Sequence, residues 1–221
     1  MHNVSFHNII SDNTHYGIIW SGLYNSLDCV IKVVLLNTGI HYNKLIHKYQ
    51  NNSLSIKTIN AHKYFALDDT VPYLHTLYHK KKSMSVPKFT HEFTMLKIVN
   101  NINLAPKVFH HWIDQTSYPV HYGFIVMERL SKTVKDIILE RDLISHELNY
   151  IRSRINKLHK NNIKHGDLKP SNIGVYLDSH GYINKIRIID WAKGEYTHNK
   201  HMFITDLNTF SSHIKKNTAE R

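Results

Sequence analysis

The stretch His165-Gly166-Asp167-Leu168-Lys169-Pro170-Ser171-Asn172 decides how this chain is read, with Ile188-Ile189-Asp190-Trp191 as its downstream partner. It sets an Asp, then a Lys two residues on, then an Asn five residues on. Past a strand-like segment a second Asp follows. An Asp beside an accepting hydroxyl orients it and takes its proton, and a nearby Lys neutralises a moving phosphoryl group. An Asn and a further Asp can hold Mg²⁺ against nucleotide phosphates. Chemistry of this kind asks a protein for placed charge and metal rather than for covalent participation. The plain alternative is a polar turn between a helix and a strand, with Asp and Asn as ordinary turn formers. That accounts for one or two of these residues, not for the set at this spacing.

The pattern resembles the catalytic and metal-binding loops of the protein-kinase-like superfamily, H-R-D-L-x-x-x-N followed by D-F-G. Gly166 stands where that pattern has Arg, and Trp191-Ala192 where it has Phe-Gly; both departures occur in atypical kinases and in small-molecule phosphotransferases. The resemblance implies an α+β, two-lobed protein-kinase-like fold in a single domain, residues 1–221. A β-rich N-lobe would span 1–126 with an insertion at about 37–88, a hinge 127–130, and a truncated helical C-lobe 131–221. It implies ATP and Mg²⁺ as cofactors. Asp167 would be the base or orienting group, Lys169 would sit on the phosphoryl, and Asn172 and Asp190 on the metal. Lys32, held by Glu92, would bind the α/β-phosphates.

Working outward, Gly17 to Tyr24 and Leu27 to Leu36 carry the apolar and aromatic content of strands, and Phe6 to Leu36 reads as a sheet. Lys32 interrupts Cys29-Val30-Ile31-Lys32-Val33-Val34-Leu35, where a lone charge is costly to bury unless paired. Either it lies on an edge strand facing solvent, or Val30-Ile31-Lys32 corresponds to the end of V-A-I-K, with Val30 over the adenine. The phosphate-covering loop lacks G-x-G-x-x-G; only Gly17 remains near the expected turn, after Asn13-Thr14-His15-Tyr16. Phe89 to Asn101 reads as a helix with Phe89, Phe93, Leu96 and either Val99 or Asn100 toward one face. Glu92 on it is either an exposed helix Glu or the partner of Lys32. Ala105 to Phe109 begins a strand, and Tyr122 to Leu130 is another. In the resemblance the latter runs into the hinge, with Met127 beside the adenine pocket and the backbones of Glu128 and Leu130 bonding the adenine edge.

Further on, Thr133 to Leu139 reads as a short helix. Ser145 to Asn161 reads as a long one, with Leu148, Ile151, Ile155 and Leu158 in a stripe and Ser145 as N-cap. Ile173 to Leu177 and Ile183 to Ile189 form a hairpin around Asp178-Ser179-His180-Gly181. Gly174 is small where kinases commonly place an apolar residue under the adenine. Asp206 reads as a helix N-cap and, by the resemblance, as the Asp that braces the catalytic loop, two readings that are compatible. The interval from Asp190 to Asp206 is short and holds no A-P-E, so the resemblance is to a minimal kinase.

Bulk properties bound the remainder. A chain of 221 residues with 42% hydrophobic and 20% charged content reads as one globular domain, or one with two lobes. The net charge of +11 favours anionic partners. The basic run His79-Lys80-Lys81-Lys82 reads as a solvated loop, with nucleic acid as a weaker possibility. His75 and His79 share a helical spacing but lack a third metal ligand. Ser53 to Ile59 is a candidate strand inside the insertion. The one cysteine, Cys29, fits a reducing compartment and a buried strand thiol. No apolar run reaches membrane-spanning length and no signal peptide is evident, so the expectation is a cytoplasmic protein, in host cytoplasm or virion if viral, with no membrane partner. Lys169 within D-L-K-P-S-N points to Ser/Thr protein kinases. The layout is similar to short kinase-like proteins of large DNA viruses and, in size, to the small kinase of the KEOPS complex. The expected function is phosphoryl transfer to Ser/Thr hydroxyls of a protein substrate, with an activating protein partner as a further expectation. A pseudokinase module and a small-molecule phosphotransferase stand as alternatives.

Overall fold

Cys29, Ile31, Val33 and Leu35 alternate with Val30, Lys32, Val34 and Leu36, and a strand sends these two sets to opposite faces. The computed structural model describes residues 4–11, 14, 16–37, 83–114 and 121–219. In it this segment is β3 (Leu27–Asn37), the middle of a sheet ordered β1-β2-β3-β6-β5. The others are β1 (Val4–Ser11), β2 (Gly17–Tyr24), β5 (Val108–Asp114) and β6 (His121–Glu128), while the short β4 (Met84–Ser85) pairs in parallel with β3. Asn25 and Ser26 join β2 to β3 with φ of 48° and 67°. Positive φ at both positions is what the tight turn of a right-twisted hairpin requires, and Asn tolerates it. The candidate strand Ser53–Ile59, the basic run His79–Lys82, the pair His75 and His79, and most of the insertion lie outside the described residues.

The face carrying Cys29, Ile31, Val33 and Leu35 forms one apolar cluster with Phe6, Ile18, Trp20, Tyr24, Tyr122, Phe124 and Val126. Rings interlock there: Phe6 meets Trp20 edge-on at 5.9 Å, and Trp112 stacks on Phe124 at 4.4 Å. On the opposite face Gly123 lies under Phe89, whose ring occupies the space a Cβ at position 123 would need. Phe89 belongs to α1 (Val86–Asn101), which starts earlier than the expected Phe89. Its buried side chains are Phe89, Glu92, Met95, Leu96 and Val99, whereas Phe93 is only half-buried. The expected stripe thus shifts: Glu92 takes the inward position assigned to Phe93.

Two compact units emerge, Met1–Thr90 with Val108–Arg129, and His91–Lys107 with Leu130–Arg221. The chain is therefore mixed α+β, with a β-rich N-terminal sheet and a mainly helical C-terminal part. Residues 91–107, within the range read as an N-lobe, group with the second unit for reasons the hydrogen bonds make plain. His91 bonds the Gly194 carbonyl (2.6 Å), Lys157 donates to the Ile102 carbonyl (2.9 Å), Arg187 to that of Asn103 (2.8 Å), and the Ile188 N–H to that of Leu104 (2.6 Å). These bonds also delay the strand expected from Ala105; Ala105 is buried in the connection, and β5 begins at Val108.

The second unit holds α2 (Val134–Glu140), α3 (Ser145–Lys160) and α4 (Lys200–Ala219), with β7 (Lys132–Thr133), β8 (Ile163–Lys164), β9 (Ile173–Leu177), β10 (Ile183–Ile188) and β11 (Glu195–Tyr196). Strands pair as β10-β9-β7 and β11-β8. Thr133 caps α2: its hydroxyl accepts from the Asp136 N–H while Asp136 accepts from the Thr133 N–H. Ser145 is not the cap of α3. Ile144 holds that position, and its N–H is taken by the Glu147 carboxylate at 3.2 Å. Glu147 is fully buried, while Leu148 of the expected stripe is half-buried. The same carboxylate receives two bonds from Arg141 (2.6 and 2.7 Å) and the Ile183 N–H (2.9 Å). Burial opposes its ionisation, but Arg141 and the two N–H groups outweigh that and hold its pKa below the ordinary value.

Burial pushes the Cys29 thiol up to about 11, with Asp28 adding to the effect. The thiolate fraction at pH 8 is then about one in a thousand. We expect the folded protein to resist alkylation by iodoacetamide at pH 8 and to react fully in denaturant, measured as mass addition over time. Rapid labelling without denaturant would show that Cys29 is accessible.

Candidate functional site

Geometry in the second unit begins with α3, whose apolar side chains Ile151, Ile155 and Leu158 are fully buried and anchor it. The helix ends at Asn161 and Asn162, the latter at φ 58°. The chain then runs through β8 directly into His165. Gly166 follows at φ 79°, and a Cβ there would press on the Lys193 backbone carbonyl. This close approach, together with the left-handed conformation, gives a local reason for Gly where the kinase pattern has Arg.

His165 is fully buried and joins the two candidate loops. Its Nδ1 accepts the Asp167 N–H at 3.2 Å, and its Nε2 lies 2.9 Å from the Ile189 carbonyl. An amide can only donate and a carbonyl only accept, so the ring is neutral with its proton on Nε2. Burial holds its pKa below the ordinary imidazole value, with Ile189, Asp206, Asp190 and Asp167 only partly offsetting. Trp191 meets this ring edge-on at 4.7 Å, is itself fully buried, and donates to the Ile188 carbonyl at 2.8 Å. Trp191 thus takes an apolar packing position beside the loop. In the sequence, His165 and Trp191 stand within the motif with no side-chain signal for either role.

Asp206 sits inside α4, past its first turn, so the N-cap reading does not hold. Its buried carboxylate accepts the His165 N–H (2.8 Å) and the Gly166 N–H (2.9 Å), and His159 Nε2 lies 3.2 Å away. Burial would raise its pKa; the His159 contact and these N–H groups outweigh that and keep it below the ordinary carboxylate value. This is the loop-bracing geometry that the resemblance implied for Asp206.

The loop carries the candidate groups in order. Lys169 Nζ lies 3.2 Å from Asp167 Oδ2, in a half-exposed pair. Asn172 donates through Nδ2 to the Asp167 carbonyl at 2.9 Å. With its donor end committed there, the amide has its oxygen to offer a cation. The Ile189 N–H bonds the Asn172 carbonyl at 2.9 Å, and Ile173 pairs with Ile188, so Asn172 and Asp190 leave the same end of the β9–β10 hairpin. Asp190 is exposed, with φ 65° and ψ 63°. A non-glycine residue in that region carries backbone strain of about 1 kcal/mol, a cost that clusters at working sites. Among the described residues no group of three or more His, Cys, Asp or Glu is placed to cage a metal. The donor set fits Mg²⁺ that arrives with phosphates, since that ion takes one or two protein oxygens and completes its shell with phosphate and water. Leu130 fills the space above Gly174, where a Cβ would collide with its side chain, which accounts for a small residue there.

The first unit holds the other candidates. Lys32 is 8% exposed in the central strand, not on an edge. It pairs in register with Ile19 and Ile125, as Val30 does with Ser21 and Met127, and Gly17 with Val34. Directly paired residues share a face, so Gly17, Val30, Lys32 and Met127 lie on one side of the sheet, opposite the aromatic cluster. Glu128 pairs with Cys29 and points its side chain to the cluster side. Gly17 opens β2, and a Cβ there would strike the Val33 carbonyl; Thr14 brackets it, exchanging bonds with its N–H and carbonyl. Asn13 and His15 of that turn lie outside the described residues. Glu92 is 1% exposed, which removes the alternative of a solvated helix Glu, and it belongs to the second unit.

No protein-family model and no curated protein matches this chain. Among solved structures it is similar to one titled "Structure of vaccinia related kinase 3", at 12% identity and a TM-score of 0.48, over 88% of this chain and 49% of that one. The chain thus spans about half the length of that structure. No described helix is long and apolar enough to cross a membrane.

The His165 and Asp206 shifts have opposite origins but the same sign in stability. His165 has a lowered folded pKa, so its contribution is complete above the unfolded value, near 6.5, and is lost as pH falls toward the folded value. For Asp206, also lowered, the contribution is complete above about 4 and lost below. We expect the urea midpoint to fall between pH 7.5 and 5.5, and to fall less in His165→Gln. Equal slopes for both proteins would refute the His165 assignment. Asp206→Ala, which strips acceptors from two loop N–H groups, should lower unfolding free energy by about 2–5 kcal/mol.

Proposed function

We propose that this chain transfers the γ-phosphoryl group of ATP to serine or threonine hydroxyls of a protein substrate, with Mg²⁺. The observation that carries the proposal is the His165 bridge. One buried, neutral ring bonds the Asp167 N–H on one side and the carbonyl preceding Asp190 on the other. A polar turn has no need to be fastened to a second acidic loop in this way; a centre that must hold two carboxylates in fixed register does.

On this reading Asp167 orients the attacking hydroxyl and receives its proton at a carboxylate oxygen. Lys169, already within 3.2 Å of Asp167, offers positive charge to the phosphoryl group in transfer. Asn172 Oδ1 and the Asp190 carboxylate hold Mg²⁺, which when bound with the nucleotide neutralises charge on the phosphate oxygens. Lys32 binds the α/β-phosphates, Glu92 holds it in place, Val30 and Met127 border the adenine, Gly17 lies by the phosphate turn, and main-chain groups of Glu128 and Leu130 bond the adenine edge. Lys169 within D-L-K-P-S-N supports a protein rather than a small-molecule acceptor. The layout, with Lys107-Val108-Phe109 leading to Gly123-Phe124-Ile125-Val126-Met127-Glu128, supports kinship with the short kinase-like proteins of large DNA viruses, whereas H-G-D-L and I-D-W are shared with small-molecule phosphotransferases.

The test is transfer from γ-labelled ATP with Mg²⁺ to a serine- and threonine-containing basic protein, comparing wild type with Asp167→Asn and Asp190→Asn. Asn tolerates the left-handed backbone at 190, so that variant removes charge with little change in strain. Each variant should lose a factor of 10² to 10⁴ while melting near the wild-type temperature. Phosphoamino-acid analysis should return phosphoserine or phosphothreonine. Undiminished transfer in Asp167→Asn would sink the mechanism, and transfer only to small alcohols would replace the acceptor class.

A further inference from the structure

Asp190 is exposed and lies at a positive φ, so its place depends on what holds the residues on either side of it. Before it, Ile189 is fixed by the His165 ring and the Asn172 carbonyl. After it, Trp191–Lys193 form a short 3-10 turn that the Gly194 N–H closes on the Trp191 carbonyl at 3.0 Å. Glu195 and Tyr196 then pair with Lys164 and Ile163. Between these supports the Gly194 carbonyl meets a group from far away in the sequence. This is His91 of α1, whose Nε2 lies 2.6 Å from it. A carbonyl only accepts, so the imidazole donates through its Nε2–H.

Gly194 is buried, and a Cβ there would come within 2.6 Å of the Trp191 ring. The ring thus lies directly against the Gly194 backbone, and it also meets His165 at 4.7 Å. A continuous path runs from His91 through Gly194 and Trp191 to His165, which accepts the Asp167 N–H. His91 stands beside Glu92, which is 1% exposed, in the same unit. Just past its C-terminal end, α1 is fastened to that unit through the carbonyls of Ile102, Asn103 and Leu104. About 16 Å of chain at helical rise separates those bonds from His91. A pivot of about 4° over that length moves the His91 end by about 1 Å, a displacement that catalytic geometry feels.

We propose that His91 is a positioning residue for phosphoryl transfer. Its bond to the Gly194 carbonyl sets the turn of α1 that carries Glu92 and the segment that carries Asp190 in one register. The proposal rests on the roles given above to Glu92 and Asp190. His91 acts through Gly194 and Trp191 rather than on the reacting atoms. Its own residue is exposed, so a substitution removes the donor at little cost to the core.

The experiment compares the full chain as wild type, His91→Leu and His91→Gln, the last because its side-chain amide keeps an N–H donor. Without ligand, amide hydrogen exchange at Gly194 and Glu195 should quicken at least tenfold in His91→Leu and return toward wild type in His91→Gln. Exchange at Ile173–Leu177 should stay unchanged. With Mg²⁺ and γ-labelled ATP, His91→Leu should lose about tenfold or more in kcat, with KM for the protein acceptor unchanged, while His91→Gln keeps most of the rate. Both variants should melt within a few degrees of wild type. Equal kcat losses in the two variants, or full kcat in His91→Leu beside an inactive Asp190→Asn, would overturn the proposal and leave the transfer function standing. Transfer absent from wild type would overturn that function instead, and the exchange rates would then decide alone. Faster exchange in His91→Leu keeps His91 as the fastening of this segment, and unchanged exchange removes it.

Discussion

The Asp206 carboxylate is the constraint on which the second unit depends. It is buried, ionised and surrounded by donors: two consecutive N–H groups of the loop and the ring of His159. Because those N–H groups belong to His165 and Gly166, the carboxylate fixes where the loop begins. The His165 ring then passes that placement to Asp167 on one side and Ile189 on the other. A helix late in the chain thereby determines the position of acidic residues contributed by two earlier segments. Removing such a charge leaves its donors unmet in a dry interior, which costs more than the bond was worth when formed. The network is all-or-nothing for that reason.

The same logic of committed donors runs through the neighbouring elements. Glu147 ties the start of α3 to the β9–β10 hairpin through the Ile183 N–H, and Arg141 reaches the carbonyl of Gly181 at the hairpin turn. Asn172 gives its amide to the loop, and Trp191 gives its indole N–H to the strand it follows. Glu147, Arg141, Asn172 and Trp191 each have a bonding direction set by a main-chain partner. Asp190, exposed and held in a left-handed conformation, is the member whose side chain faces outward from this framework.

Much of this was legible in the sequence, and the reasons differ by element. Strands β2 and β6, and the hairpin β9–β10, announce themselves because apolar runs are bounded by turn residues. The spacing of Asp167, Lys169, Asn172 and Asp190 was readable because a local loop fixes their relations. Ser145 misled because hydroxyl residues are common caps, yet the helix opens one residue earlier: the Ile144 carbonyl accepts the Leu148 N–H, and Glu147 reaches back to the Ile144 N–H. Phe93 misled because bulk suggested an inward face, while α1 turns the smaller but charged Glu92 inward. The role of His165 had no separate signal: its two partners are backbone atoms, and backbone atoms carry no side-chain identity to read.

The alternation in β3 has an evolutionary consequence. Its two faces carry different cargo, aromatic packing on one and Lys32 on the other, and both neighbouring strands are paired to it residue by residue. Insertion or loss of a single residue between Cys29 and Leu36 would exchange the faces, sending the lysine into the aromatic cluster and apolar side chains to where the lysine had been. Gene-level change in this segment is therefore confined to substitution, and length variation must be absorbed in the turns and connections on either side.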